Sequence, residues 1–309
     1  MKIALLCNNK MAFPALQTIA ASGHLCGVVT TGRDKEIVAF VGQFCEANDV
    51  PCNIISDEDR WIQLSCWLRA IQPDVVFVMT FPWKVPAHLL QVPQLGFINF
   101  HYGLLPEMRG ADPIFESIRQ RRATAGLTVH KMDEGFDTGD ILMREEFPLS
   151  PEFTYGMLCG QMARIGETAC KTLIGKLETG VIPDGYKQDE ARACYLPKLK
   201  KEEIVIRWAE MTLSEIIALI RSCNPIAMGI PTALNGWAFG ICDASPVQLN
   251  GDVTGIIPGT IVALDVQNGM LVYCKDGLGL KVEVINTAEG FFPGYKLAMW
   301  GVVPGMTLN

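Results

Sequence analysis

The sequence predicts an α/β protein, with a mostly parallel sheet domain followed by a smaller antiparallel β-barrel. Three observations carry that expectation. Strand-length apolar runs alternate with helical stretches through the first half, the pattern dissolves between residues 180 and 202, and short β-type runs divided by tight turns follow.

In order, residues 2–7 read as a strand, 11–22 as a helix and 25–30 as a second strand. A helix near 36–48, an apolar stretch at 52–55, a helix near 59–71 and a strand at 74–79 continue the alternation. The strand 96–100 is expected near the sheet centre, its carboxyl end facing the crevice where open α/β sheets bind ligands. Strands at 126–132 and 140–147 and a long helix over 154–179 close a Rossmann-like domain spanning 1–182. Pro, Gly, Lys and Asp then mark an exposed connector, 183–205, before a barrel domain, 206–309. Thr212 and Glu215 form a capping box ahead of a helix. Asn235-Gly236, Asn268-Gly269 and Asp276-Gly277 are hairpin turns between the strands of an OB-like barrel.

Composition excludes several classes. With 49% hydrophobic and 19% charged residues, a chain of 309 residues has enough apolar content for two cores. Apolar runs such as Val75 to Met79 fall short of the roughly 18 to 20 residues that span a bilayer. Because residues 1–7 enter a strand directly, without the apolar core of a signal peptide, a cytosolic protein is expected with no membrane partner. The 11 cysteines sit in apolar segments without metal or redox spacing, so they are expected as free thiols. A net charge of −7 argues against a broad nucleic-acid surface, though a local basic patch is compatible with it. After the first strand, "CNNKMAF" lacks the glycine turn that brings backbone to a pyrophosphate, so no dinucleotide is expected.

Two segments carry polar residues that the fold does not ask for: "INFHYGLLPEMRGADPI" and "MDEGFDTGDI". Asn99 and His101 lie two apart at a strand end, so they project from one face. Asp137 lies in a glycine-flanked loop from which a carboxylate can reach the imidazole, the arrangement of general acid/base catalysis. A well-placed Asn99 amide can donate to a developing oxyanion, worth roughly 3 to 4 kcal/mol. Each feature has a plainer reading. Arg109 either ties its loop down or faces the substrate mouth, and Trp83 either packs or lines a pocket. Asp112 either caps a helix starting at Pro113 or draws in a cationic substrate. His24 and His88 read as structural, His130 as structural or facing the same crevice, and Lys198, Lys200 and Lys201 as a solvated run or, alternatively, an RNA contact.

Together these two motifs resemble the formyltransferases that use 10-formyltetrahydrofolate, whose usual pattern is Asn-x-His-x-Ser-Leu-Leu-Pro, an Arg-Gly, and an Asp-Thr-Gly. Residues 194–225 and 258–285 resemble the linker, first helix and terminal barrel of methionyl-tRNA formyltransferase, so the resemblance spans nearly the whole chain. It implies a catalytic trio of Asn99, His101 and Asp137. It also implies folate contacts from Trp83, Lys84 and Val85, from Gly103, Leu104, Leu105 and Pro106, and from the backbone of Asp133, Glu134, Gly135 and Phe136. Activity then requires 10-formyltetrahydrofolate as co-substrate and no metal, since the formyl group arrives activated and mainly needs orienting.

The chain departs from the family in two places. Gly103 stands where Ser is usual. The segment "TTGRDKEIVAFVGQF" is short and carries only Arg33 and Lys35 where tRNA-acting members hold a longer basic loop, and losing phosphate contacts weakens nucleic-acid affinity. Asp112, in "GADPIF", resembles the formylation domains of peptide synthetases. The expected acceptor is therefore a primary amine on a small molecule, amino-sugar nucleotide or carrier-tethered aminoacyl group, ahead of methionyl-tRNA. Hydrolysis of 10-formyltetrahydrofolate is a further alternative.

Overall fold

The computed structural model describes residues 1–181, 184–249, 251 and 253–309. They divide into two compact units, the first made of 1–113, 125–147 and 159–197 and the second of 114–124, 148–158 and 198–309. The expected boundary at 182/183 lies outside the described residues, as does the side chain of Lys201.

The first unit alternates β1 (Ile3–Cys7), α1 (Phe13–Ala21), β2 (Leu25–Thr31), α2 (Lys35–Ala47), β3 (Cys52–Ile55), α3 (Arg60–Ile71) and β4 (Val75–Met79). The short helix α4 (Ala87–Leu90) leads to β5 (Phe97–His101) and the two-residue β6 (Arg109–Gly110). Next along the chain are α5 (Pro113–Arg119), which belongs to the second unit from residue 114, then β7 (Thr124–Lys131), β8 (Ile141–Pro148), α6 (Tyr155–Glu178), in the first unit from residue 159, and another two-residue strand, β9 (Tyr195–Leu196).

Every residue of β1 and β4 is buried, which explains why these strands read as unbroken apolar runs rather than alternating ones. Two local devices set the helices on the sheet. Asp34 caps α2 by accepting from the N–H groups of Glu36 and Ile37. Gly27 leaves room for α3: a Cβ there would stand 2.7 Å from Trp67 Cζ2.

The seven strands run in the order β3-β2-β1-β4-β5-β7-β8. The first five are mutually parallel, and β7 is antiparallel to β5. This is the mostly parallel sheet the alternation predicts, with β4 in the middle and β5 beside it. Strand order reverses between β1 and β4, the switch point at whose carboxyl edge open α/β sheets leave a crevice. Phe77 and Phe100 pack at 5.4 Å inside the sheet domain. Burying each ring contributes about 2 kcal/mol.

The second unit contains α7 (Leu213–Cys223), whose Thr212–Glu215 capping box is formed as expected. Its strands are β10 (Ile230–Leu234), β11 (Trp237–Val247), β12 (Ile261–Asp265), β13 (Gly269–Tyr273), β14 (Gly279–Thr287) and β15 (Gly290–Pro293). They pair antiparallel in the order β10-β11-β14-β13-β12, with β15 on β14. The last residues bridge the two edges: Asn309 N–H donates to Ala233 of β10 at 2.9 Å, and Ile261 of β12 donates to Met306 at 2.8 Å. That bridge turns an open sheet into a closed one and covers both edge strands.

The connector is less exposed than its composition suggests. Gln188 and Leu196 are buried, because β9 pairs with β6 and pulls the segment against the sheet domain. Such burial has no period, since it comes residue by residue from tertiary pairing. All eleven cysteines are free thiols. Among the described residues no helix is long and apolar enough to cross a membrane.

Candidate functional site

Strand register builds the site. Asn99 of β5 lies directly opposite His130 of β7, and His101 opposite Thr128. Directly paired residues share a face, and so do residues two apart on one strand, so Asn99, His101 and His130 come to one side. The loop after β7 brings Asp137 to them with φ 58°, a left-handed conformation that an aspartate tolerates better than most side chains.

The distances define a connected polar cluster. Asp137 Oδ2 lies 3.7 Å from His101 Nδ1 and accepts from the Gly110 N–H at 3.0 Å. Its Oδ1 lies 3.6 Å from His130 Nε2 and 3.5 Å from Asn99 Nδ2. His101 Nε2 donates to the Met108 carbonyl at 2.7 Å, and His130 Nδ1 donates to the Lys131 carbonyl at 2.8 Å. Since carbonyls only accept, these bonds fix both tautomers when the rings are neutral. His130 Nε2 is then an acceptor and takes an N–H from Asn99 at 3.1 Å. Asn99 keeps a second N–H, held only by the long contact to Asp137.

Charge follows from burial. Burial pushes the His101 pKa below its usual value, against the opposing pull of Asp137, so the imidazole is neutral near pH 7. Burial also works against charge on Asp137, but the two neighbouring imidazoles, His101 and His130, and the Gly110 N–H outweigh it and hold the carboxyl at about 2. The result is a neutral imidazole whose one basic atom, Nδ1, faces a fixed carboxylate. Such a pair can take a proton and stabilise the cation formed.

A cavity of about 70 Å³ opens beside this cluster, and Trp83, Lys84, Asn99, His130, Asp133, Gly135, Phe136 and Asp137 contribute to its wall. Trp83 lines the cavity and also meets Phe81 edge-on at 5.3 Å. Other expected site residues, His101 among them, lie outside the wall. Val85 is buried in the core, and Glu134 is exposed. Gly103, Leu104, Leu105 and Pro106 form a buried turn held by Thr128, which donates to the Gly103 carbonyl and accepts from Leu105 N–H. At Gly103 a Cβ would stand 2.6 Å from Pro113 Cβ and 2.9 Å from His101 Nε2. The family's usual serine therefore does not fit this packing without a shift.

Arg109 has the bonds of a loop tie. Its guanidinium is fully buried and donates to Gln188, to both Glu190 oxygens and to the Tyr195 hydroxyl. Asp112 sits just before Pro113, the first residue of α5, with φ 46°.

Two members of the site are not placed by a reading of the sequence. His130 reads as structural or crevice-facing on its own, and only the β5–β7 register shows that it faces Asn99. Gln188 lies 51 residues from Asp137, in the connector, yet its amide donates to the carbonyls of Asp137 and Gly139 at 2.8 Å each. No local pattern marks it.

Comparison with known proteins gives this cluster its context. The profile of the Formyl transferase family matches residues 33–174, and that of Formyl transferase, C-terminal domain, matches residues 198–290. The chain is 32% identical over 306 residues to a methionyl-tRNA formyltransferase of Syntrophus aciditrophicus (strain SB), covering 94% of each. It is 37% identical over 326 residues to one of Marinobacter nauticus (strain ATCC 700491 / DSM 11845 / VT8), covering all of both. In fold it resembles the N-formyltransferase of Helicobacter canadensis, solved with folinic acid and dTDP-3-aminofucose, with a TM-score of 0.66 at 18% identity over 91% of this chain and 98% of that one. With both of its halves matched by one family's profiles and nearly its whole length by those relatives, the chain belongs to the formyl transferase family and is a formyltransferase.

Proposed function

We propose that the chain moves the formyl group of 10-formyltetrahydrofolate to a primary amine on a small-molecule, amino-sugar nucleotide or carrier-tethered acceptor. The observation that carries this reading is the convergence of Asn99, His101 and Asp137, of which Asn99 and Asp137 line one cavity and His101 lies behind Asp137, with His101 neutral and Asp137 charged.

The amine attacks as the free base, and the formyl oxygen gains charge as the tetrahedral adduct forms. The loosely held N–H of Asn99 donates to that oxygen. His101 Nδ1 takes the proton from the attacking nitrogen, and the imidazolium it becomes is stabilised by Asp137. Its new N–H then returns the proton to N10 of the folate, and tetrahydrofolate leaves. Trp83, Lys84 and the turn from Asp133 to Phe136 hold the folate against this cluster, while Arg109 acts through Gln188 by fixing the loop that carries Asp137. In this reading Asp112 draws in the acceptor as its ammonium, before the nitrogen loses a proton and attacks.

The test is an acceptor screen with 10-formyltetrahydrofolate, following tetrahydrofolate release. Turnover with aminoacyl carriers or amino-sugar nucleotides, lowered about a hundred-fold or more in His101→Ala, is expected. Preference for charged initiator tRNA would overturn the acceptor assignment. That second reading is favoured by the full-length match to methionyl-tRNA formyltransferases, and opposed by the shortness of the loop at Arg33 and Lys35. Release of formate without any amine would mark a hydrolase.

A further inference from the structure

A second hollow, of about 360 Å³, lies at the carboxyl ends of β2 and β3, where Arg33, Ser56 and Asp57 contribute to its wall. It shares one side chain with the catalytic cavity: Trp83 lines both. Three features of this hollow are unexplained by the chemistry at Asn99.

First, Arg33 and Arg60 both lean on the Trp83 ring, each guanidinium carbon 5.0 Å from its centroid. A tryptophan ring attracts a nearby cation, and this one has two. Second, both arginines turn to the same carboxylate, Asp57, at 3.1 Å for Arg33 and 3.6 Å for Arg60. Two cations share one anion, which leaves the group one positive charge in excess. All three side chains are partly exposed, so the set is open to a ligand. Third, the indole Nε1 of Trp83 is buried without a hydrogen-bond partner among the described residues. Buried donors are usually paired, and this unpaired one belongs to the side chain that lines both cavities.

We propose that this hollow seats an anionic tail, carboxylate or phosphate, of a substrate whose reacting end lies at the Asn99 cavity, with Arg33 and Arg60 as its ion partners and Trp83 as its wall. The inference rests on the formyl-transfer reading for the identity of the substrates. Either substrate class can supply the charge: the donor through its glutamyl carboxylates, the acceptor through the phosphates of a nucleotide or carrier arm. The anion would take the place that Asp57 holds between the two guanidiniums, which present planar forks suited to either group. Arg33 thereby gains a use that does not depend on nucleic acid.

Binding titrations on the full chain separate these sources. The probes are 5-formyltetrahydrofolate with one or five glutamates, and inorganic pyrophosphate, against wild type, the double variant Arg33→Gln/Arg60→Gln, and Asp57→Asn. If the donor supplies the tail, pentaglutamate binds wild type about ten-fold tighter than monoglutamate, and the double variant loses that gain. If the acceptor does, pyrophosphate binding falls about ten-fold in the double variant instead. In either case Asp57→Asn tightens the responding probe, because a competing carboxylate is gone, and salt weakens it. A purely structural role for the three residues predicts no such tightening. The proposal is overturned if neither probe responds to the double variant while its thermal unfolding matches wild type. Failure of every folate probe to bind would instead count against the donor at Asn99, and the pyrophosphate arm would still decide the hollow.

Discussion

At the scale of single residues, the site works through opposed electrostatic preferences of two neighbouring side chains. His101 is buried enough to stay neutral, yet its Nδ1 points at Asp137, which the neighbouring imidazoles and the Gly110 N–H keep ionised. The signs give a pH dependence. Asp137 is held at about 2 against its ordinary 3.8, so its contribution, on the order of 2 kcal/mol, is full above 3.8 and is lost as pH falls toward 2. His101 is depressed below 6.5, so the unfolded chain takes up that proton first and stability begins to decline as pH falls below 6.5. Denaturant unfolding at pH 7, 5 and 3 should therefore show stability falling at each step, with the last step flattened in Asp137→Asn. The limb of kcat/KM that belongs to the enzyme, separated from that of the acceptor ammonium by using acceptors of different basicity, should lie below pH 6.5, since the base must be unprotonated. An acceptor-independent limb above 6.5 would contradict a neutral buried imidazole.

At the scale of elements, the site depends on one antiparallel register and one pair of very short strands. The β5–β7 pairing sets Asn99 against His130, and a slip of one residue would turn the row to the other face of the sheet. The β6–β9 pairing, only two residues on each strand, brings Gly110 to Leu196 and Arg109 to Tyr195. Gly110 has φ 104°, and a Cβ there would stand 2.6 Å from the Leu196 carbonyl oxygen. Glycine at that point lets its N–H reach Asp137. From there a chain of bonds runs from Arg109 through Gln188 to the Asp137 carbonyl. Gln188→Leu would cut it and leave the Asp137 and Gly139 carbonyls without that donor. We expect kcat to fall about ten-fold or more with KM for the acceptor changed less, and unfolding to cost about 1 to 3 kcal/mol. Equal kcat in the variant would remove Gln188 from the positioning network.

At the scale of the whole molecule, the chain builds two cores, each by its own rule. The first is a crossover sheet with near-continuous apolar strands. The second is an antiparallel sheet whose edges are bridged by residues 305–309, so that a segment without regular pattern completes the fold. Leu308 anchors that bridge, being almost fully buried in the second core. Leu308→Ala should therefore destabilise the second unit by about 2 to 4 kcal/mol, read as an earlier unfolding transition. Unchanged unfolding would mean that the terminal bridge carries little of the barrel's stability.

The sequence by itself determined the sheet and barrel classes, the strand that carries Asn99 and His101, and the loop that carries Asp137. Each of these is written in local periodicity, turn chemistry or two-residue spacing. Tertiary structure alone decided that His130 faces Asn99, that Gln188 leaves the connector to brace the Asp137 loop, and that Arg109 turns inward. It also brought Arg33, Asp57, Arg60 and Trp83 around one hollow. Apart from Asp57 with Arg60, these contacts join residues 23 to 86 positions apart, and strand register and loop closure place them, while sequence pattern reports only which face of its own element a residue takes.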